Sequence, residues 1–244
     1  MKSNVTQCHT CGHIHPSPIT FCQSCGASLR QISKHRAMAL VEGTTGVGKT
    51  TLIDALVHHH LQQNPHMDTL LRLGQGHTYA PIEPDRTVPK VSLTEQVEYM
   101  DRIFDMLSFL VHPYGYGSRP RHSCIIETLH LTLSTKPHQL SNQKIANYDG
   151  GLAGIGCKLL FIQVTPETHW ERCIWERRHN GFITIYAQKY GHTLEEIHAH
   201  YMASQTQMLR LFEQSSMPKL LLDGEQPVET LVEIAYDFWV NDIE

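Results

Sequence analysis

Eight consecutive residues constrain this chain more than any others: Gly43-Thr44-Thr45-Gly46-Val47-Gly48-Lys49-Thr50, a full G-x-x-x-x-G-K-T match. Ala37 to Val41, just before it, is a short apolar run that ends at Glu42. After it, Leu52, Leu56 and Leu61 read as the apolar stripe of a helix. The segment is therefore expected to form a strand, a Gly-rich turn and a helix. Glycines let a backbone wrap an anion with its N–H groups pointing inward. A helix starting near Lys49 adds its N-terminal dipole to the same point. The pattern predicts a phosphate cradle made by Gly43, Thr44, Thr45, Gly46, Val47, Gly48, Lys49, Thr50 and Thr51. In it Lys49 would reach the β- and γ-phosphates of ATP, and Thr50 would place its hydroxyl on Mg²⁺. A Gly-rich turn without function does not account for Lys-Thr at the helix start.

The rest of the composition narrows the setting. At 244 residues and 41% hydrophobic, the chain has room for one medium domain and something small. No apolar run is long enough to cross a membrane, and the first ten residues contain no apolar leader segment. The net charge of -4 gives no global reason to expect nucleic acid as the main partner. Four of the seven Cys are Cys8, Cys11, Cys22 and Cys25, while Cys124, Cys157 and Cys173 are isolated. Isolated thiols without a targeting signal fit a reducing cytoplasm, where paired C-x-x-C means metal rather than disulfide.

The N-terminal pairs read CHTCGHIHPSPITFCQSCG, with Gly12 and Gly26 following the second Cys of each pair. Two such knuckles can close a tetrahedral four-sulfur site suited to structural Zn²⁺. A redox dithiol would need a βαβ context that this segment lacks. The segment resembles the short zinc ribbons that many unrelated bacterial proteins carry at the N-terminus, so it names no function. About 30 residues cannot bury an adequate core, and the metal would have to supply the folding energy. The expected organisation is a zinc ribbon over 1–30, a linker over 31–36 and a nucleotide-binding domain over 37–244.

Four further apolar runs read as strands: Thr69–Leu73, Ser123–Thr128, Lys158–Val164 and Lys219–Leu222, with helical stretches between them. Strands alternating with helices predict an α/β fold with a five-stranded parallel sheet covered on both faces. The strand at 123 ends in Glu127, a carboxylate placed to hold Mg²⁺ or its water beside the phosphate loop. There is no Asn-Lys-x-Asp segment of the kind a GTPase uses, and no ABC signature helix.

The stretch Val164-Thr165-Pro166-Glu167-Thr168-His169-Trp170-Glu171-Arg172-Cys173-Ile174-Trp175-Glu176-Arg177-Arg178 ends a strand, starts a helix at Pro and finishes in an Arg pair. Here the chain resembles the thymidylate kinase and deoxynucleoside kinase group of phosphotransferases. The resemblance covers residues from about 37 to 244 in element order, and only the phosphate loop is specific. It implies a lid whose arginines clamp the phosphates, with Arg172, Arg177 and Arg178 at the matching positions. Arg172 is one helical turn from Glu176 and is expected to pair with it, which leaves Arg177 and Arg178 as lid residues. Two departures stand out. Thr128 follows Glu127 where the group has Arg, and Glu83-Pro84 comes about ten residues late, in a loop that also holds Gln75, His77, Tyr79, Asp85 and Arg86.

The reading is an Mg-dependent kinase that moves the γ-phosphoryl group of ATP to a nucleoside, a nucleoside monophosphate or a similar small acceptor. Lys49, Glu127, Arg177 and Arg178 would be the catalytic residues. Thr50 and Glu127 would hold Mg, and Cys8, Cys11, Cys22 and Cys25 would hold Zn. Expected partners are ATP and the acceptor, a second copy in a homodimer, and a protein or nucleic acid at the ribbon, with no membrane. Three alternatives stay open: an NTPase switch whose ribbon docks a partner, a non-catalytic nucleotide-binding adaptor, and a nucleic-acid end kinase using the basic cluster Arg30, Lys34, His35 and Arg36.

Overall fold

The computed structural model describes residues 6–7, 13–15, 24, 38–63, 70–73, 123–127, 131, 149–154, 156–179, 183 and 190–240. The chain divides into two compact units, Met1–Lys34 and His35–Glu244. In the first, β1 (Thr6–Gln7) pairs antiparallel with β2 (Ile14–His15), Thr6 opposite His15. Cys8, Cys11, Cys22 and Cys25 lie outside the described residues, and so do the 31–36 linker and the 75–86 loop.

The second unit is built on β3 (Met38–Glu42), β4 (Leu70–Leu73), β5 (Ser123–Glu127), β6 (Cys157–Gln163) and β7 (Lys219–Asp223). They form one sheet in the order β4-β5-β3-β6-β7, and its four pairings are all parallel. All five residues of β3 are buried. A parallel strand covered on both faces has no solvated side, so Met38–Val41 run apolar without alternation, and the closing Glu42 is buried too.

The pleat divides these side chains between two cores. On one face Ala39, Val41, Leu160 and Ile162 meet α1 (Lys49–Gln63) and α4 (Val228–Val240), whose Trp239 is fully buried. On the other, Met38, Leu40, Leu159 and Phe161 meet Met208 and Phe212 of α3 (Leu194–Gln214). A capping box starts α3: Thr193 accepts from the Glu196 backbone, and the Glu196 side chain reaches back to the Thr193 N–H. Lys158 donates to the Phe238 and Trp239 carbonyls at 2.8 and 3.3 Å, satisfying the last turn of α4.

One expectation for α1 is corrected. Leu52 and Leu56 are buried with Ile53, but Leu61 is 49% exposed and His60 takes the next core position at 1%. At about 100° per residue, position 61 lies roughly 180° around the helix from position 52, whereas 60 continues the 52–56 stripe. His60 meets Trp239 with ring centroids 4.8 Å apart.

In this order β4 and β5 are added on one side of β3, and β6 and β7 on the other, so the strand order has its switch point beside β3. A crevice therefore opens at the carboxyl ends of β3 and β5, the usual ligand position in an open α/β sheet.

Candidate functional site

The turn leaving β3 occupies this crevice. Leu52 N–H donates to Gly48 O at 2.9 Å, the first bond of α1. The N–H groups of the residues just after Gly48 have no partner within the helix and are available to an anion. Gly46 and Gly48 have φ of 87° and 98°, a region L side chains rarely enter. Lys49 is 9% exposed, and its ammonium donates to Gly43 O at 2.8 Å and Thr44 O at 2.9 Å.

Glu127, at the end of β5, faces this turn. Its Oε1 lies 3.6 Å from Lys49 Nζ, and its Oε2 accepts from Thr50 Oγ1 at 3.3 Å. The parallel register carries Glu127 beside Val41 of β3, so a residue 77 positions from Thr50 reaches the start of α1. Three of the residues expected to act together thus meet at one point. One carboxylate and one hydroxyl are a hard-oxygen donor set of the kind Mg²⁺ uses when substrate phosphates and waters complete its shell. Among the described residues no group of three or more His, Cys, Asp or Glu could hold a metal by itself.

Glu42, at the end of β3, is fully buried and its Oε1 accepts from Leu131 N at 3.3 Å. A depression of ≈ 520 Å³ at the ends of β6 and β7, lined by Val164, Thr165, Gln205 and Leu221, contains none of Lys49, Thr50 or Glu127.

The segment after β6 packs on the other side of the turn. Thr165 caps α2 (Pro166–His169) by accepting from Thr168 N, and Trp170–Trp175 continues it as a π-helix. The His169 ring is 1% exposed, and its Nε2 bonds Thr45 O at 3.0 Å. A carbonyl only accepts, so Nε2 carries the proton. Burial pushes His169 down to about 4; its bond to Thr45 opposes this, while His198, Arg177 and Lys49 add to it. Cys173, fully buried, sits directly under Gly46: a Cβ built on Gly46 would lie 2.5 Å from both Cβ and Sγ of Cys173. Burial raises this thiol to about 11 against the opposing charges of Arg177 and Lys49.

The arginines separate. Arg172 does not pair with Glu176; its Nη1 donates to Gly224 O at 2.9 Å. The expectation assumed α-helical spacing, but Glu176 N bonds Glu171 O, a π-type i to i+5 bond, which shifts the angular offset between 172 and 176. Arg178 stacks on the Trp175 ring 4.0 Å from its centroid and donates to the Trp175 carbonyl. Arg177 and Lys49 both act electrostatically on His169 and on Cys173. Sequence reasoning placed neither His169 nor Cys173 at the loop. The only local signal was the Thr165-Pro166 helix start, which puts His169 at the end of the first turn.

No family model matches the chain, and no curated protein matches it. Among solved structures it is similar to a deoxyadenosine kinase from M. mycoides solved with the product dCMP and a flexible dCDP bound: 14% identity, 82% of this chain and 97% of that one, TM-score 0.45. It is also similar to a gluconokinase from Sinorhizobium meliloti 1021, at 14% identity, 84% and 92% coverage, and TM-score 0.48. A shikimate kinase from Bacteroides thetaiotaomicron gives 12% identity, 82% and 96% coverage, and TM-score 0.46. These three act on unrelated acceptors, and at such identities none lends its substrate to this chain.

Proposed function

We propose that the second unit is an Mg-dependent phosphotransferase that moves the γ-phosphoryl group of ATP to a small hydroxyl or phosphate acceptor, a nucleoside or nucleoside monophosphate being the class favoured by the sequence. The observation that carries this reading is the convergence of Lys49, Thr50 and Glu127 on one Gly-rich turn at a helix N-terminus. In this reading the backbone N–H groups of residues 43–51 bind the phosphates. Lys49 leaves its two carbonyl partners to neutralise the β- and γ-phosphates. Thr50 and Glu127 would hold Mg²⁺, which would supply neutralisation of phosphate charge. Arg177, whose charge acts on His169 and Cys173, would stabilise the charge on the transferring group, while Arg178 would first have to leave Trp175. Little covalent chemistry falls to the protein, so positioning and electrostatics carry the rate.

The N-terminal unit is proposed to hold one structural Zn²⁺ on Cys8, Cys11, Cys22 and Cys25, on the strength of the C-x-x-C spacing alone. Boundaries at 30 and 36, a cytoplasmic setting and a homodimer belong to the same reading.

The test is ADP formation from Mg·ATP with and without a panel of nucleosides, nucleoside monophosphates and small hydroxy acids. Stimulation by one acceptor, with stoichiometric phosphorylated product, supports the kinase. A slow rate that no acceptor changes and that a protein partner raises supports an NTPase switch instead.

A further inference from the structure

His169 lies 124 positions from Thr45 in the chain, yet its Nε2–H donates to the Thr45 carbonyl at 3.0 Å. Thr45 belongs to the turn that would bind phosphate. The ring is buried at 1% exposure, and its other nitrogen, Nδ1, has no hydrogen-bond partner among the described residues. Aromatic neighbours from α3 hold the ring in place: His198 is stacked at 5.3 Å and Tyr201 lies tilted at 5.7 Å. The cations of Lys49 and Arg177 act on it from α1 and from beyond the π-helix. All of this favours one neutral tautomer with a single fixed donor.

A fixed donor on Thr45 O has a consequence one bond later. In a planar trans peptide the C=O of one residue and the N–H of the next point in opposite directions. Holding the Thr45 carbonyl toward α2 therefore turns the Gly46 N–H away from α2. Cys173 closes the same side of the loop: there is no room for even a Cβ between it and Gly46. The peptide is thus pinned by a hydrogen bond at its carbonyl and by packing at the following Cα.

We propose that His169 is a positioning residue of the phosphate loop: its Nε2–H anchors the Thr45 carbonyl and so aims the Gly46 N–H at the bound phosphates of a nucleoside triphosphate. The proposal rests on the phosphate-loop reading above. It goes beyond that reading by giving the segment that carries Arg177 a hold on loop geometry. His169 itself touches no substrate.

The experiment has two arms on the full-length chain. In the first, Mg·ATP affinity is measured by calorimetry for the wild type, His169→Phe, His169→Gln and Lys49→Ala, with circular dichroism as the folding control. Phe keeps the volume and loses the donor; Gln places an amide N–H near the position of Nε2. His169→Phe should bind Mg·ATP about tenfold more weakly, on the order of one net hydrogen bond, and His169→Gln should return to within roughly threefold of wild type. Equal affinity of wild type and His169→Phe, with binding lost in Lys49→Ala, overturns the proposal and leaves the phosphate-loop reading intact. A His169→Gln variant as weak as His169→Phe also overturns it, because the donor is then not what matters. If the wild type binds no Mg·ATP, the phosphate-loop reading fails and takes the proposal with it. The second arm needs no variant to fold: ¹⁵N-resolved imidazole spectra of the wild type at pH 7 should show His169 as the Nε2–H tautomer. The Nδ1–H tautomer or the doubly protonated ring would overturn the proposal.

Discussion

Gly46→Ala and Gly48→Ala form a matched pair that isolates the contact between the loop and the π-helical segment. Both glycines have positive φ, 87° and 98°, so both substitutions carry backbone strain of about 1–2 kcal/mol. They differ in surroundings. At Gly48 nothing lies within 4 Å of the new Cβ. At Gly46 the Cβ would sit 2.5 Å from Cβ and Sγ of Cys173 and 3.2 Å from its Cα. Cys173 cannot retreat, being fully buried among Ile174, Ile183, Ile197 and Tyr201. Overpacking of this kind adds about 1–3 kcal/mol, so Gly46→Ala should lose roughly 2–5 kcal/mol in total. At about 2–4 °C per kcal/mol for a domain of this size, calorimetric melting should fall by roughly 4–20 °C for Gly46→Ala and by about 2–8 °C for Gly48→Ala, the former the larger. Equal shifts in the two variants would refute the packing of the loop on Cys173.

Glu127→Gln keeps the shape and removes the charge, so ADP formation should drop and recover in part at raised Mg²⁺, by mass action; a loss indifferent to Mg²⁺ would remove Glu127 from the metal site. Stability should fall as pH drops from about 6.5 toward 4: His169 binds its proton less readily in the folded protein, with a folded pKa of about 4, so the unfolded chain takes up more protons across that window. The full effect is on the order of 3 kcal/mol, and denaturant melts of His169→Gln should lack this part of the slope. Metal analysis of the purified chain should find about one zinc per molecule, lost in Cys8→Ser with Cys22→Ser; metal-free protein with an ordered N-terminus would refute the ribbon.

What could be read from the sequence and what could not divide by range. The Gly-rich turn was legible because its requirement is local: eight adjacent residues carry both the backbone freedom and the Lys-Thr chemistry. The apolar runs at 38–42 and 157–163 were legible because buried parallel strands leave no alternation to blur them, and the run at 219–223, an only partly buried edge strand, was legible from its three adjacent leucines; the ends of all three moved by only a residue. Glu127 could be suspected from its place at a strand end. His169 on Thr45 and Cys173 under Gly46 leave no local pattern, since each contact joins residues more than 120 positions apart. Leu61 and the Arg172–Glu176 pair were misread for a different reason. The first came from loose counting around a helix, and the second from α-helical spacing applied where the chain is π-helical.

The most direct test of the account is the rate of ADP release from Mg·ATP by wild type and Lys49→Ala, measured beside their melting temperatures. The cradle is built from backbone, so the fold should survive the loss of one ammonium. Turnover should fall by roughly a hundredfold or more, the worth of one preorganised charge contact in the transition state. Near-normal turnover in a folded Lys49→Ala variant would contradict the assignment of residues 43–51 as the phosphate site.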